Sequence, residues 1–203
     1  MIIGICGLIG GGKGTVADML EQDQGFIKLS FADSLKDAVS AVFGWPRDML
    51  EGATAESRAW REQVDDWWSV RLDRPGLTPR WVLQYWGTEL CRHGFHDDIW
   101  IASMERKLMQ LTQNNTTANY VLPDTRFPNE IAMVRNAGGQ IWRVKRGSDP
   151  AWLSRYIRRG KPPVDIHPSE WKWADAEFDH IITNDGTIDD LHRKVAGIID
   201  ASR

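Results

Sequence analysis

The sequence predicts an α/β fold: a parallel sheet of about five strands with helices on both faces. Three observations predict it. Short apolar runs alternate with helix-spaced apolar patterns along the whole chain. The run IIGIC at 2–6 and the run YVLPD at 120–124 are apolar without strict alternation, as strands buried on both faces are. The length, 203 residues, fits one domain, with room for a smaller appended lobe.

The elements follow in order. Residues 2–6 read as a buried strand ending at glycines, and 13–23 as a helix. Residues 26–30, FIKLS, alternate and read as a second strand. In FADSLKDAVSAVFGW the residues Leu35, Ala38, Val39, Val42 and Phe43 have helical spacing; Asp33 or Ser34 caps the start and Gly44 stops it. Residues 45–77 are rich in Trp, Arg and acids, and predict one helix around 57–68 between loops. Thr78 caps the next helix, with Pro79 in its first turn. A further helix begins at Asp97 or Asp98, with Ile101, Met104, Leu108 and Leu111 on one face. NNTTAN at 114–119 is a polar turn. After the strand at 120–124, NEIAMVRNAGG is a short helix stopped by Gly138 and Gly139. QIWRVKR is a fourth strand. Residues 147–177 are polar and basic, with one helical patch at 151–159. HIITN is a fifth strand, and Thr187 caps a closing helix.

Composition narrows the function. The net charge of −3 argues against a protein that grips nucleic acid mainly through its phosphates. The two cysteines, Cys6 and Cys91, read as packing residues in a reducing compartment. The opening MIIGIC is too short for a membrane span and has no basic start, so the expectation is no signal peptide and a cytoplasmic location. The eleven tryptophans read mostly as core or cleft walls.

In such sheets ligands bind beyond the carboxyl ends of the strands. The loops near Gly7, Ser30, Asp124, Arg146 and Asn184 would gather there. The first of them, GICGLIGGGKGTVAD, has the strand–glycine loop–lysine–helix context of a P-loop. Gly7, Gly10, Gly11 and Gly12 let backbone N–H groups turn inward around phosphate oxygens. The helix start adds its positive dipole end, and Lys13 is a mobile point charge for the outer phosphates. Lys13 is followed by Gly14, and the hydroxyl that usually ligates Mg²⁺ arrives one place late, at Thr15. That turns it by roughly 100° on the helix, toward a phosphate or toward the metal through a water. The order Gly-Lys-Gly-Thr resembles the loop of adenylate kinases, which points to small phosphotransferases rather than switch GTPases or motor ATPases.

In YVLPDTRFPNE, Asp124 ends an apolar strand, where P-loop enzymes place a carboxylate for Mg²⁺ or its bound water. Arg126 can aim at a phosphate. The plainer alternative is a helix-capping aspartate beside a surface arginine.

Together, GLIGGGKGTVADML, LSFADSLKDAV, VLQYWGTEL followed by Trp100, LPDTRFPNE, GGQIWRVKR, HPSE and HIITNDGTIDDL resemble the deoxynucleoside monophosphate kinases of tailed phages. The pieces occur in the family's order over nearly the whole chain, and resemblance is least at 45–77. The resemblance implies a single P-loop kinase-type domain over 1–203, with a helical acceptor-binding region at 45–115 and a lid-like basic segment at 147–177. It implies transfer of a phosphoryl group from ATP, with Mg²⁺, to a deoxynucleoside monophosphate. On matching positions Gly10, Gly11, Gly12, Lys13, Gly14 and Thr15 would hold the ATP phosphates. Thr15 and Asp124 would serve the metal, and Asp124 and Arg126 would lie between donor and acceptor. Asp33, Lys36, Gln84 and Thr88 would face the acceptor. Asp33 and Lys36 equally fit an i, i+3 ion pair, and Gln84 and Thr88 an ordinary helix face. The resemblance implies a homodimer only by analogy, and a setting in the cytoplasm of an infected bacterial host.

Arg143, Lys145 and Arg146 end a strand, and Arg155, Arg158, Arg159 and Lys161 follow. Arg155, Arg158 and Arg159 share a helix face. Such a face is either solvated or, in a phosphotransferase, a lid that closes over ATP, with Arg155 and Arg159 supplying charge. HPSE, with His167, reads first as loop capping by Ser169 and Glu170. His93 and His96 lack the partners of a zinc site.

Two other readings stand. One is a P-loop kinase acting on a hydroxymethylated pyrimidine within DNA, with Asp33 or Asp124 as base and the Trp-rich 45–100 region as the strand-binding groove. The other is a nucleotide-binding module without transfer.

Overall fold

The computed structural model describes residues 1–114 and 117–202. The chain forms two compact units, one of residues 1–30 with 105–203 and one of residues 31–104.

The first unit is built on β1 (Ile2–Cys6), β2 (Ile27–Lys28), β3 (Tyr120–Leu122), β4 (Gln140–Lys145) and β5 (His180–Thr183). These make one sheet in the order β2-β3-β1-β4-β5, with all pairs parallel. β1 is central, and its residues fall alternately on the two faces. Ile3 and Ile5 enter the main core with Trp142 and Val144 of β4 and Ile182 of β5. That core is closed by Val16 and Leu20 of α1 (Lys13–Gln24) and by Leu191, Val195 and Ile199 of α10 (Ile188–Ala201). On the opposite face lies α8 (Pro128–Asn136), and a Cβ at Gly4 would stand 3.3 Å from its Val134. Helices therefore cover both faces, as parallel strands require.

The second strand is shorter than the sequence predicts. Ile27 and Lys28 are both exposed, and the apolar neighbours Phe26 and Leu29 are buried instead. β2 is an edge strand, paired only with β3, and Lys28 is held by Asp18 and Glu21. A short edge carrying a lysine gives other chains little to pair with.

The expected helix at 151–159 is α9 (Ala151–Arg159). Thr187 caps α10 as expected, accepting from the N–H of Asp190. Of the polar turn expected at 114–119, residues 115 and 116 lie outside the described residues.

The second unit is helical. α2 (Asp33–Phe43) stops at Gly44, whose left-handed backbone donates to Ser40 O. Its N-cap is Ala32, so neither Asp33 nor Ser34 caps it, and Asp33 opens the first turn. Ala38 and Val42 are exposed, and the buried stripe is Leu35, Val39 and Phe43. The single helix expected around 57–68 is instead two, α4 (Ala55–Trp60) and α5 (Asp66–Arg71), preceded by α3 (Arg47–Glu51). Asp65 is the cause: its carboxylate accepts from the N–H of Trp68 and starts a new helix. α6 (Pro79–Gln84) begins at the Thr78 cap as predicted, but continues as a π-helical stretch, Tyr85–His93. α7 (Ile99–Asn114) follows.

The tryptophans explain how this unit holds together. Leu35, Val39, Phe43, Trp45, Leu50, Leu77 and Val82 form its core, with Trp60, Trp68, Trp81, Trp86 and Trp100 packed around it. Three of these indoles place their N–H: Trp45 on Asp65, Trp68 on Phe43 O and Trp100 on Gly87 O. Trp67 is the exception, an exposed ring on α5.

Candidate active site

Strand ends of the first unit bring the predicted loops together. β1 leads into the glycine loop, and Gly12 is the N-cap of α1 with φ 104° and no side-chain cap. The first amides of α1 therefore remain available to an anion. The glycines are needed for room as well as for φ. A Cβ at Gly7 would meet Val144 O at 2.2 Å, and one at Gly12 would meet the Asn184 amide nitrogen at 2.3 Å. Asn184, buried after β5, donates to Gly11 O at 3.1 Å and from its backbone to Lys145 O at 2.7 Å. It ties the loop to the ends of β4 and β5.

Lys13 is half-buried, and its ammonium donates to Gly7 O at 2.7 Å and Leu8 O at 2.9 Å. Burial pushes its pKa down to about 8. The Arg126 guanidinium adds to that fall, and Glu170, Cys6 and Asp124 oppose it. Below Lys13, burial pushes the Cys6 thiol up to about 12, which fits a packing residue.

β3 leads to Asp124. Ser30, after β2, donates its hydroxyl to Asp124 Oδ2 at 2.6 Å and fixes the carboxylate. The rest of the motif is structural support. Thr125 is fully buried and bonds Leu122 O. Glu130 is buried at the start of α8 and accepts from the N–H groups of Arg126 and Phe127 at 2.7 and 3.0 Å. The Arg126 backbone is therefore fixed from the helix below it. Its guanidinium reaches Glu170 at 2.8 Å and Ser169 at 3.3 Å.

A pocket of about 250 Å³ lies beside the glycine loop, lined by Leu8–Gly11 and by Arg143–Arg146 with Asp149. Arg143 is buried and paired with Asp149 at 2.5 Å, beneath the Trp173 ring at 5.3 Å, so it is an internal charge rather than part of a basic surface. Arg146 donates to Asn184 O at 3.1 Å, joining the loops after β4 and β5.

The structure thus brings together Gly10–Thr15, Asp124 and Arg126, and adds Ser30, Glu170 and Asn184. Ser30 and Asn184 end strand-like runs, which was the available signal for them. Arg155 and Arg159 lie on the exposed face of α9, with no bond to Lys13, Asp124 or Arg126 among the described residues. In HPSE the cap is made by His167, whose ring nitrogen accepts from the Ser169 N–H, and not by Ser169 or Glu170.

Asp33, Lys36, Gln84 and Thr88 belong to the second unit. Lys36 is buried on α2 and bonds Glu51 at 2.7 Å, and Asp33 pairs with Arg47 at 3.4 Å. Gln84 is exposed and Thr88 half-buried.

Among the described residues no group of three or more His, Cys, Asp or Glu could hold a metal by itself, and no helix is long and apolar enough to cross a membrane.

The family described as deoxynucleotide monophosphate kinase matches residues 56–195. A putative deoxynucleotide monophosphate kinase of Acanthamoeba polyphaga mimivirus is 30% identical over 208 aligned residues, covering 98% of this chain and 96% of that protein. The deoxynucleotide monophosphate kinase of Enterobacteria phage T4 is 27% identical over 136 residues; the match covers 65% of this chain and spans 46% of that protein's length. Among solved structures, dephospho-CoA kinase from Campylobacter jejuni aligns with a TM-score of 0.47 and 15% identity, covering 98% of this chain and 96% of that one.

Proposed function

The chain belongs to the deoxynucleotide monophosphate kinase family, and from that premise we propose that it transfers the γ-phosphoryl of ATP to a deoxynucleoside monophosphate, giving the diphosphate. One observation carries the reading: Lys13 stands in a glycine loop at the end of β1, electrostatically coupled to Arg126 and Asp124 at the end of β3. Phosphates bound there would meet the positive charge of Lys13 and Arg126.

We assign Gly10, Gly11, Gly12, Lys13, Gly14 and Thr15 to the ATP phosphates. The fit is favourable: a Cβ would fill the cradle at Gly12, and the helix start offers free amides. We assign Arg126 to the acceptor or transferring phosphoryl group. Asp33, Lys36, Gln84 and Thr88, within the helical region at 45–115 or just before it, are our candidates for the acceptor. Arg155 and Arg159 are our candidates for charge supplied by the segment at 147–177. The acceptor is already an ionised phosphate, so no strong base is required. Positioning and charge stabilisation are sufficient chemistry.

Asp124, with Ser30 and Thr15, offers hard oxygen donors that suit Mg²⁺. One protein carboxylate fits a cation that takes its remaining ligands from nucleotide phosphates and water. The ion would neutralise charge on the β- and γ-oxygens.

The DNA-kinase alternative gains nothing from the acidic charge balance, and family membership disfavours it and the non-catalytic module alike. The test is transfer of label from γ-labelled ATP with Mg²⁺ to each dNMP, run beside plain and hydroxymethylated DNA. Label in a dNDP is the expected result. Label in DNA alone would overturn the assignment, and no transfer to anything would favour a binding module.

A further inference from the structure

Glu170 is not used by the reading above, yet it touches two of its parts. Its Oε1 accepts from the Arg126 guanidinium at 2.8 Å. Its Oε2 accepts from the backbone N–H of Ile9, at the tip of the glycine loop, at 3.3 Å. The same guanidinium also reaches Ser169 Oγ, and His167 fixes Ser169 by bonds to its backbone N–H at 3.3 Å and to its hydroxyl at 2.9 Å. The 3₁₀ turn Pro168–Glu170 is thus a short hydrogen-bonded platform. From it, one carboxylate links the 147–177 segment to the loop that follows β1 and to the arginine that follows β3.

An exposed ion pair would mean little. This one is different in two respects. The Glu170 side chain is only 22% exposed, and both of its oxygens are engaged with groups of the phosphate site. A guanidinium on a long side chain samples many rotamers, and its use in phosphoryl transfer depends on where it points.

We propose that Glu170 is a positioning residue for phosphoryl transfer: it holds Arg126 and the tip of the phosphate loop in one register. The proposal rests on the kinase reading. Arg126 acts on the phosphoryl group, and Glu170 acts through Arg126.

The experiment compares full-length wild type with Glu170→Ala, Glu170→Gln and Glu170→Asp, using ATP, Mg²⁺ and the accepted dNMP. For Glu170→Ala, kcat falls about 10- to 100-fold while KM for ATP stays within about threefold, the signature of lost alignment rather than lost uniform binding. Glu170→Gln keeps an oxygen for Arg126 and recovers part of kcat. A merely structural role would lower the melting temperature and leave kcat per folded enzyme unchanged. Wild-type kcat in Glu170→Ala overturns this proposal alone. A wild type that phosphorylates no dNMP overturns the kinase reading and this proposal with it.

Discussion

Gly12→Ala tests how the phosphate loop is held open. The new Cβ would stand 2.3 Å from the Asn184 amide nitrogen and 3.4 Å from its amide carbon. The residue also sits at φ 104°, where a side chain is rarely tolerated. Backbone strain of this kind costs about 1–3 kcal/mol. The clash pushes Asn184 off Gly11 O, where its 3.1 Å bond joins the loop to the end of β5. Leaving those buried groups without partners costs about 1–3 kcal/mol more. Together about 2–6 kcal/mol, these costs lower the melting temperature by roughly 4–24 °C in a chain of this size. Gly14→Ala is the control. A Cβ there has open space and no positive φ, so its melting temperature stays within about 2 °C of wild type. The assay is thermal unfolding by circular dichroism without nucleotide, followed by ATP titration. A Gly12→Ala melt equal to wild type would refute the packing argument. So would an equal loss in Gly14→Ala, since any side chain in the loop would then suffice.

Two other outcomes follow from titrating groups. Lys13 loses its proton near pH 8 in the folded chain, against about 10.5 when unfolded. Its charge is thus present below about pH 8 and lost above it, so kcat/KM for ATP should decline as pH rises through 8; a profile flat to about pH 10 would contradict this. The sign for stability is opposite: between those two pKa values the unfolded chain holds the extra proton, so this group adds stability as pH rises. Cys6 is buried with its thiol pushed up to about 12, whereas Cys91 is partly exposed. A thiol reagent at about pH 8 should modify one cysteine quickly, identified as Cys91 by peptide mapping, and reach Cys6 only on unfolding.

The fold was legible because its signals are local. Apolar runs such as IIGIC and the Thr78 and Thr187 caps each dictate an element without help from distant residues. What escaped was decided by neighbours. Asp65 breaks 57–68 into two helices by capping the second. FIKLS loses most of its strand because it is an edge with one partner. The π-helical bonding after Gln84 leaves no periodicity that differs clearly from an α-helix. At the site, glycine spacing and the strand-ending Asp124 were readable, since each is a local pattern. Glu170 was not: a Ser–Glu pair in a polar loop looks like a cap, and only the fold places its carboxylate between Arg126 and Ile9. Lys36 presents the reverse case. Its spacing from Asp33 suggested an i, i+3 pair, and each instead bonds a residue of α3, Lys36 with Glu51 and Asp33 with Arg47.

The most direct test of the central claim is the single-turnover rate at which Lys13→Ala moves label from γ-labelled ATP to the accepted dNMP. Lys13 is the charge on which the phosphate loop, Arg126 and Asp124 converge. Its removal should slow transfer by about 100-fold or more, with ATP and acceptor saturating and the protein folded by circular dichroism. Transfer at the wild-type rate by that folded variant would contradict the claim that this loop carries the chemistry.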